Sequence, residues 1–320
     1  MERKLVVVLA ALEESQRARI REAAARQGFR ALFFESDADA LPYLADAEIV
    51  FGQSAALAKN APAQRWLCTP SAGVNQFAAP GCFASPDAAL TNSSGAYGVT
   101  IAEHVVMVAL EMLRRQPEYR EIVRRREWTR DLPVRSIKNS RVTLLGTGDI
   151  GRETAKRLRA FGPAALTGVN RGGANPDALF DRIVRQESVD GVLPETDLLV
   201  VSLPGTPETL RLLDARRLAL LPDGALIVNV GRGTVIDQDA LKAELKKGRL
   251  LAALDVFERE PLPADDPLWD CPNLLVTPHV AGNMTLSYTR LRIVDLFLED
   301  FENYCGGKPL ARRVDLRRGY

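Results

Sequence analysis

Six apolar runs between Arg141 and Thr277 constrain this chain more than any other feature. They are R-V-T-L-L (141–145), A-L-T-G-V (165–169), D-L-L-V-V-S-L (197–203), A-L-I-V-N-V (225–230), L-L-A-A-L-D-V-F (250–257) and N-L-L-V-T (273–277). Most are apolar throughout rather than at alternate positions, so both faces of each strand must be covered. Gly, Pro and Asp punctuate their ends. A series of this kind dictates a parallel sheet wound by helices on both sides. The first hundred residues repeat the pattern. Lys4–Ala10, Ala31–Phe34, Glu48–Phe51 and Trp66–Cys68 read as strands, and Ser15–Gln27 as a helix that Gly28 ends. Thr100 to Arg115 reads as a long buried helix, and Leu286 to Tyr304 as the last helix, stopped by Gly306-Gly307. The expected class is α/β, with doubly wound parallel sheets.

At 320 residues the chain is long enough for two domains. Forty-two Lys and Arg against 41 Asp and Glu leave a formal charge of +1, which offers no general footprint for nucleic acid. No apolar run approaches the ~20 residues that span a bilayer, so no membrane partner is expected. Leu5 to Leu12 resembles a short signal segment, but Glu13-Glu14 follows directly without a small-residue cleavage site, and a first strand is the better reading. Cys68, Cys82, Cys271 and Cys305 are scattered, without metal-ligand spacing. They read as reduced thiols of a cytoplasmic protein, and no metal is expected.

Gly146-Thr147-Gly148-Asp149-Ile150-Gly151 matches G-x-G-x-x-G, follows a strand and opens a helix. Gly146 permits a tight turn, Gly148 lets backbone approach a pyrophosphate and Gly151 lets helix and strand pack closely. The next strand ends about twenty residues later, where an NAD site offers an acid to the ribose hydroxyls. Here stand Asn170-Arg171-Gly172-Gly173, with no acid until Asp177. Arginine forks two donors onto a phosphate, so NADP is favoured over NAD.

In a doubly wound sheet, ligands sit beyond the carboxyl ends of the strands. Arg232, Glu260 and His279 each follow one of the apolar runs. Hydride delivered to a ketone leaves an alkoxide, which needs a general acid. Histidine, with an ordinary pKa of about 6.5, serves near neutrality. A neighbouring carboxylate favours the imidazolium, while Arg grips a substrate carboxylate and polarises the carbonyl. The other histidine, His104, lies mid-helix and is assigned to packing or a hydrogen bond at the domain junction.

Together these motifs resemble the D-isomer-specific 2-hydroxyacid dehydrogenases, and the resemblance runs from about Arg65 to Asn303. L-L-G-T-G-D-I-G-R-E is similar to the family's cofactor signature, and D-L-L-V-V-S-L-P-G-T-P-E-T to its next strand and loop. V-N-V-G-R-G-T-V-I-D, A-L-D-V-F-E-R-E-P-L-P and T-P-H-V-A-G carry the positions of the family's catalytic Arg, Glu and His. The resemblance implies catalytic Arg232, Glu260 and His279. It also implies cofactor contacts at Gly146, Gly148, Asp149, Ile150, Gly151, Asn170, Arg171, Leu203, Pro204, Thr209 and Val230, with Asp255 on the nicotinamide carboxamide. S-A-G-V-N (71–75) resembles the loop whose Gly73 and Val74 amides hold a substrate carboxylate, alongside Arg232. N-S-S-G-A-Y-G resembles the interdomain crossing, with Tyr97 near the cleft.

The implied fold is a Rossmann nucleotide domain, 99–283, inserted into a flavodoxin-like substrate domain, 1–98 plus 284–320. The implied activity is hydride transfer between NAD(P)H and a small 2-oxoacid or D-2-hydroxyacid of the glyoxylate/hydroxypyruvate type. A homodimer is expected, with the helix near 100–115 in its interface. Glu260 separates the chain from the formate-dehydrogenase branch, and the missing C-terminal domain from the long phosphoglycerate dehydrogenases. The competing class is a non-enzymatic dinucleotide sensor like the family's corepressors, disfavoured because the chain lacks long disordered tails.

Overall fold

Strands form where Leu, Val and Ile run unbroken, and Gly or Asp ends them where the chain must turn. The computed structural model describes residues 2–10, 12–77, 81–175 and 177–316. The chain divides into two units: residues up to Tyr97 together with those from Met284 on, and Gly98–Asn283.

In the first unit, β1 (Arg3–Val8), β2 (Phe29–Phe34), β3 (Ala47–Phe51), β4 (Trp66–Cys68) and β5 (Ala89–Thr91) form one sheet in the order β2-β1-β3-β4-β5. Every pairing is parallel, the order of a flavodoxin-like sheet. Helix α1 (Glu14–Arg26) ends at Gly28, whose φ of 71° is left-handed. Short α2 (Asp37–Ala40) and α3 (Ala55–Lys59) are capped by the Ser36 and Ser54 hydroxyls. The last helix, Ser287–Cys305, returns to this unit and stacks Phe297 on Phe51, 4.3 Å between ring centres.

The second unit opens with α4 (Gly98–Leu113) and α5 (Gln116–Arg124). Then follow β6 (Arg141–Leu145), α6 (Asp149–Arg159), β7 (Ala165–Asn170), β8 (Arg182–Arg185), β9 (Leu198–Val201), α7 (Ala215–Leu220), β10 (Leu226–Asn229), α8 (Gln238–Lys246), β11 (Leu251–Leu254) and β12 (Leu274–Val276). They make a parallel sheet in the order β12-β11-β10-β9-β6-β7-β8. Chain order reverses between β6 and β9, the switch point where such sheets bind ligands. β9 and β10 are buried at every position, as strands with two covered faces must be.

The α/β class and the two parallel sheets stand as expected. Several elements were not anticipated, among them β5, β8 and α5. β5 is only three residues long, β8 is a half-exposed R-I-V-R without an apolar face, and α5 is too charged to signal burial. Several boundaries also differ, two of them for a visible reason. The strand expected over 250–257 stops at Leu254, where Asp255 turns the chain, and the helix expected over 100–115 ends at Leu113 because Arg115 takes a φ of 57°.

Candidate active site

The glycine turn between β6 and α6 is shaped by close backbone contacts. A Cβ on Gly151 would lie 2.0 Å from the Gly146 carbonyl oxygen, and Gly146 itself has a φ of 104°. Gly148 faces open space, and no side chain caps the start of α6 there. A helix start that no side-chain oxygen caps fits the pyrophosphate of a dinucleotide. Asp149 and Ile150 begin the helix, and the absence of a side chain on Gly98 leaves room for the Asp149 carboxylate.

Beyond β7 the loop is organised by Asn170. Its Nδ2 donates to Thr147 Oγ1 at 2.8 Å and to the Ala174 carbonyl at 3.0 Å, while its Oδ1 accepts from Gly173 N–H at 2.6 Å. Asn170 thus staples the loop to the glycine turn. Arg171 is exposed beside it, and Arg185, opposite Asn170 on β8, passes close to Gly173. Asp177 is ion-paired with Arg152. In the loop after β9, Leu203 is buried and Pro204 exposed. Thr209 is buried and uses its hydroxyl on the Pro204 carbonyl, 2.6 Å, and the Thr206 amide, 2.9 Å, so it closes that loop. Val230 is buried at the end of β10.

β10, β11 and β12 are parallel neighbours, so the segments that follow them leave the same edge of the sheet. His279 and Glu260 meet there, with Nδ1 2.7 Å from Oε2. The other Glu260 oxygen accepts the Phe257 amide at 2.9 Å, which fixes the carboxylate. With Nδ1 turned to Glu260, Nε2 is the ring nitrogen that could serve a ligand. Arg232 is half-buried between two forced glycines. A Cβ on Gly231 would lie 2.5 Å from the Leu203 carbonyl oxygen, and one on Gly233 would lie 1.8 Å from the Phe257 carbonyl carbon. Burial pushes the Arg232 guanidinium below the ordinary arginine range, and the Glu260 charge pulls it back up. It remains a cation.

Two buried polar residues organise these loops. Asn229 accepts the Gly231 amide at 3.0 Å and donates to the Arg232 carbonyl at 3.1 Å. Asp255 gathers the turn that bears His279. Its backbone carbonyl accepts His279 N–H at 2.9 Å, Oδ1 accepts Thr277 Oγ1–H at 2.6 Å and Val280 N–H at 2.9 Å, and Oδ2 accepts Ala281 N–H at 3.0 Å. His279 itself has a φ of 54°. Its left-handed backbone is therefore held by a ring of hydrogen bonds, as a non-glycine residue there requires. The inward-facing Asp255 carboxylate already serves three donors. Sequence reasoning passed over Asn229 and Thr277, although each ends a strand with a polar residue in an otherwise apolar run. His104 does make a hydrogen bond, but its partner Thr277 lies within its own unit.

In the first unit, Ser71 Oγ donates to the Gly73 carbonyl at 2.7 Å and Asn92 Nδ2 to the Ala72 carbonyl at 2.8 Å. The Gly73 and Val74 amides have no hydrogen-bond partner among the described residues. Tyr97 is buried, and its hydroxyl donates to the Pro70 carbonyl at 2.7 Å, bracing the start of the same loop. Burial pushes the Tyr97 phenol well up, so it stays a neutral donor. Among the described residues no cluster of His, Cys, Asp and Glu could hold a metal ion.

The NAD-binding domain of the D-isomer specific 2-hydroxyacid dehydrogenases, as a family model, matches residues 106–281. A glyoxylate/hydroxypyruvate reductase B of Pectobacterium atrosepticum is 34% identical over 251 residues, covering 75% of this chain and 78% of that protein. Among solved structures, a D-isomer specific 2-hydroxyacid dehydrogenase family protein of Aeromonas salmonicida aligns with a TM-score of 0.87 at 32% identity, over 99% of this chain and 100% of that one. An NADPH-dependent glyoxylate/hydroxypyruvate reductase of Sinorhizobium meliloti, in complex with NADP and sulfate, aligns with a TM-score of 0.83 at 27% identity over 99% and 100%. The match spans the glycine turn, the loop after β10 and the His279 turn. The chain therefore belongs to the D-isomer specific 2-hydroxyacid dehydrogenase family.

Proposed function

We propose that this NAD(P)-dependent oxidoreductase is an NADPH-preferring reductase of small 2-oxoacids, of the glyoxylate/hydroxypyruvate type. The observation that carries the reading is the Glu260–His279 pair, 2.7 Å apart, at the sheet edge that also presents Arg232. When bound, the reduced nicotinamide supplies the hydride. His279 gives the proton on Nε2 to the carbonyl oxygen as negative charge builds there, and Glu260 stabilises the imidazolium until it does. Arg232 offers a cationic fork to the substrate carboxylate, and the Gly73 and Val74 amides, without a partner among the described residues, are donors of the kind a carboxylate accepts.

The preference for NADPH rests on Arg171, with Arg185 at the end of neighbouring β8 as a second cation beside that loop. A carboxylate there would accept from a 2′-hydroxyl and repel a 2′-phosphate, and the nearby acid, Asp177, is already paired with Arg152. The relative from Sinorhizobium meliloti, solved with NADP, is in keeping with this. Steady-state assays with glyoxylate, hydroxypyruvate and phenylpyruvate, each with NADPH and NADH, test the reading. Wild type is expected to favour NADPH in kcat/KM by roughly ten- to a hundredfold, the worth of a charge-assisted hydrogen bond. Arg171→Ala brings the two cofactors toward parity. This variant is preferred to one at Asn170, whose side chain holds the loop together. Equal efficiency in the wild type removes Arg171 from recognition, and no turnover across a wide 2-oxoacid panel returns the chain to the sensor class.

A homodimer is part of the same proposal. Met107 on α4, Val123 on α5 and Trp128 just beyond are exposed by 48%, 68% and 90%, an apolar set that a monomer would leave in water. Light scattering is expected to give twice the 35.1 kDa chain mass, and Trp128→Asp to shift it toward the monomer. A monomeric wild type at micromolar concentration contradicts the proposal. Cysteines without disulfides, three of them buried, are consistent with the cytoplasm, and among the described residues no helix is long and apolar enough to cross a membrane.

A further inference from the structure

His104 is the half-buried imidazole that the proposed chemistry does not use. It sits on α4, which packs against β10 and β11, and its side chain is 11% exposed. Its Nε2 lies 3.3 Å from Thr277 Oγ1 and 4.0 Å from Asp255 Oδ1. The protons there can be counted. Thr277 has a single hydroxyl hydrogen, and at 2.6 Å it goes to the Asp255 carboxylate, which has none to give. Toward His104 the same oxygen can therefore only accept. His104 must carry its hydrogen on Nε2.

We propose that His104 is a positioning residue for the acid/base turn: its Nε2–H holds the Thr277 hydroxyl on Asp255, and Asp255 in turn holds the Val280 and Ala281 amides that set the left-handed backbone of His279. The chain of donors runs in one direction, from imidazole to hydroxyl to carboxylate, and it ends on the turn that presents the proposed proton donor. Burial lowers the affinity of His104 for a second proton. The charges facing it, Asp255 from the end of β11 and Glu111 from its own helix, work the other way, and Glu111 is itself ion-paired with Arg120. Burial is the larger influence, so His104 acts as a neutral donor. Its part is to hold geometry, and it exchanges no proton with substrate.

The proposal rests on His279 being the proton donor, so its test includes readouts that need no turnover. The chain has two histidines, and a long-range 1H–15N spectrum of protein labelled in histidine resolves both. His104 is expected as the neutral Nε2–H tautomer, and the Nδ1–H tautomer would overturn the proposal. His104→Phe keeps the ring volume without the donor, whereas His104→Gln restores an N–H. In His104→Phe, exchange of the Val280 and Ala281 amides is expected to quicken by roughly tenfold, the worth of one lost hydrogen bond. In the same variant kcat falls by about tenfold with the 2-oxoacid KM within about twofold, and the pH limbs stay in place while the plateau drops. His104→Gln recovers most of both effects. Unchanged amide exchange in His104→Phe, a shifted pH limb, or a Gln variant no better than Phe each overturns the assignment. Failure of the His279 reading shows separately, as turnover retained in His279→Asn, and leaves the tautomer and exchange results standing.

Discussion

His279→Asn is expected to lower turnover by about 10²–10⁴-fold, the usual contribution of general acid–base help. Asparagine is the apt replacement because it tolerates the left-handed backbone that His279 occupies at φ 54°. The loss then reports on the imidazole and not on a broken turn. Glu260→Gln is the companion variant. It keeps an oxygen for the Phe257 amide and removes the charge that lies 2.7 Å from Nδ1. Without that anion the imidazole loses the charged partner that orients it through Nδ1, so reductive kcat should fall below that of wild type. Steady-state pH–rate profiles make the comparison. Full activity in His279→Asn excludes this histidine, and a Glu260→Gln profile that overlays the wild type excludes the pairing.

Arg232→Lys should lower kcat/KM for 2-oxoacids by roughly 10²–10³-fold, the cost of removing one preorganised donor at developing negative charge. Lysine keeps the charge but has no planar fork, and an ammonium is more strongly hydrated, so burial penalises it more. The site is also unforgiving in shape. Gly231 and Gly233 pin the backbone on either side, and Arg232 Nη1 donates to the Gly231 carbonyl at 2.7 Å. NADPH affinity, measured by fluorescence titration, should stay near wild type, because the positions proposed for the pyrophosphate and the 2′-phosphate follow β6 and β7, whereas Arg232 follows β10. Unchanged kinetics in Arg232→Lys removes the residue from the mechanism.

The sequence by itself determined the two parallel sheets and the edge at which the proposed chemistry is placed. Strands apolar on both faces can only be buried between helices, and parallel strands must all end on one side. From that alone Arg232, Glu260 and His279 fall at one sheet edge, and G-T-G-D-I-G falls where sheets of this kind bind a dinucleotide. The family was legible too, because glycines at Gly146, Gly151, Gly231 and Gly233 answer to backbone contacts that tolerate no side chain. Tertiary structure decided what each polar side chain is occupied with. Asn170 reads as a free hydrogen bonder for a cofactor, yet its amide staples its own loop. Thr209 closes a turn, Tyr97 braces one, and Asp255 is spent on the His279 turn rather than left open. His104 reads as packing or a hydrogen bond at the domain junction, and only the fold shows that α4 brings it to Thr277, 173 positions away and within the same unit. Period and composition report which face of an element is buried. A hydrogen bond depends on the position of an atom to within a few tenths of an ångström, and only the folded chain supplies that.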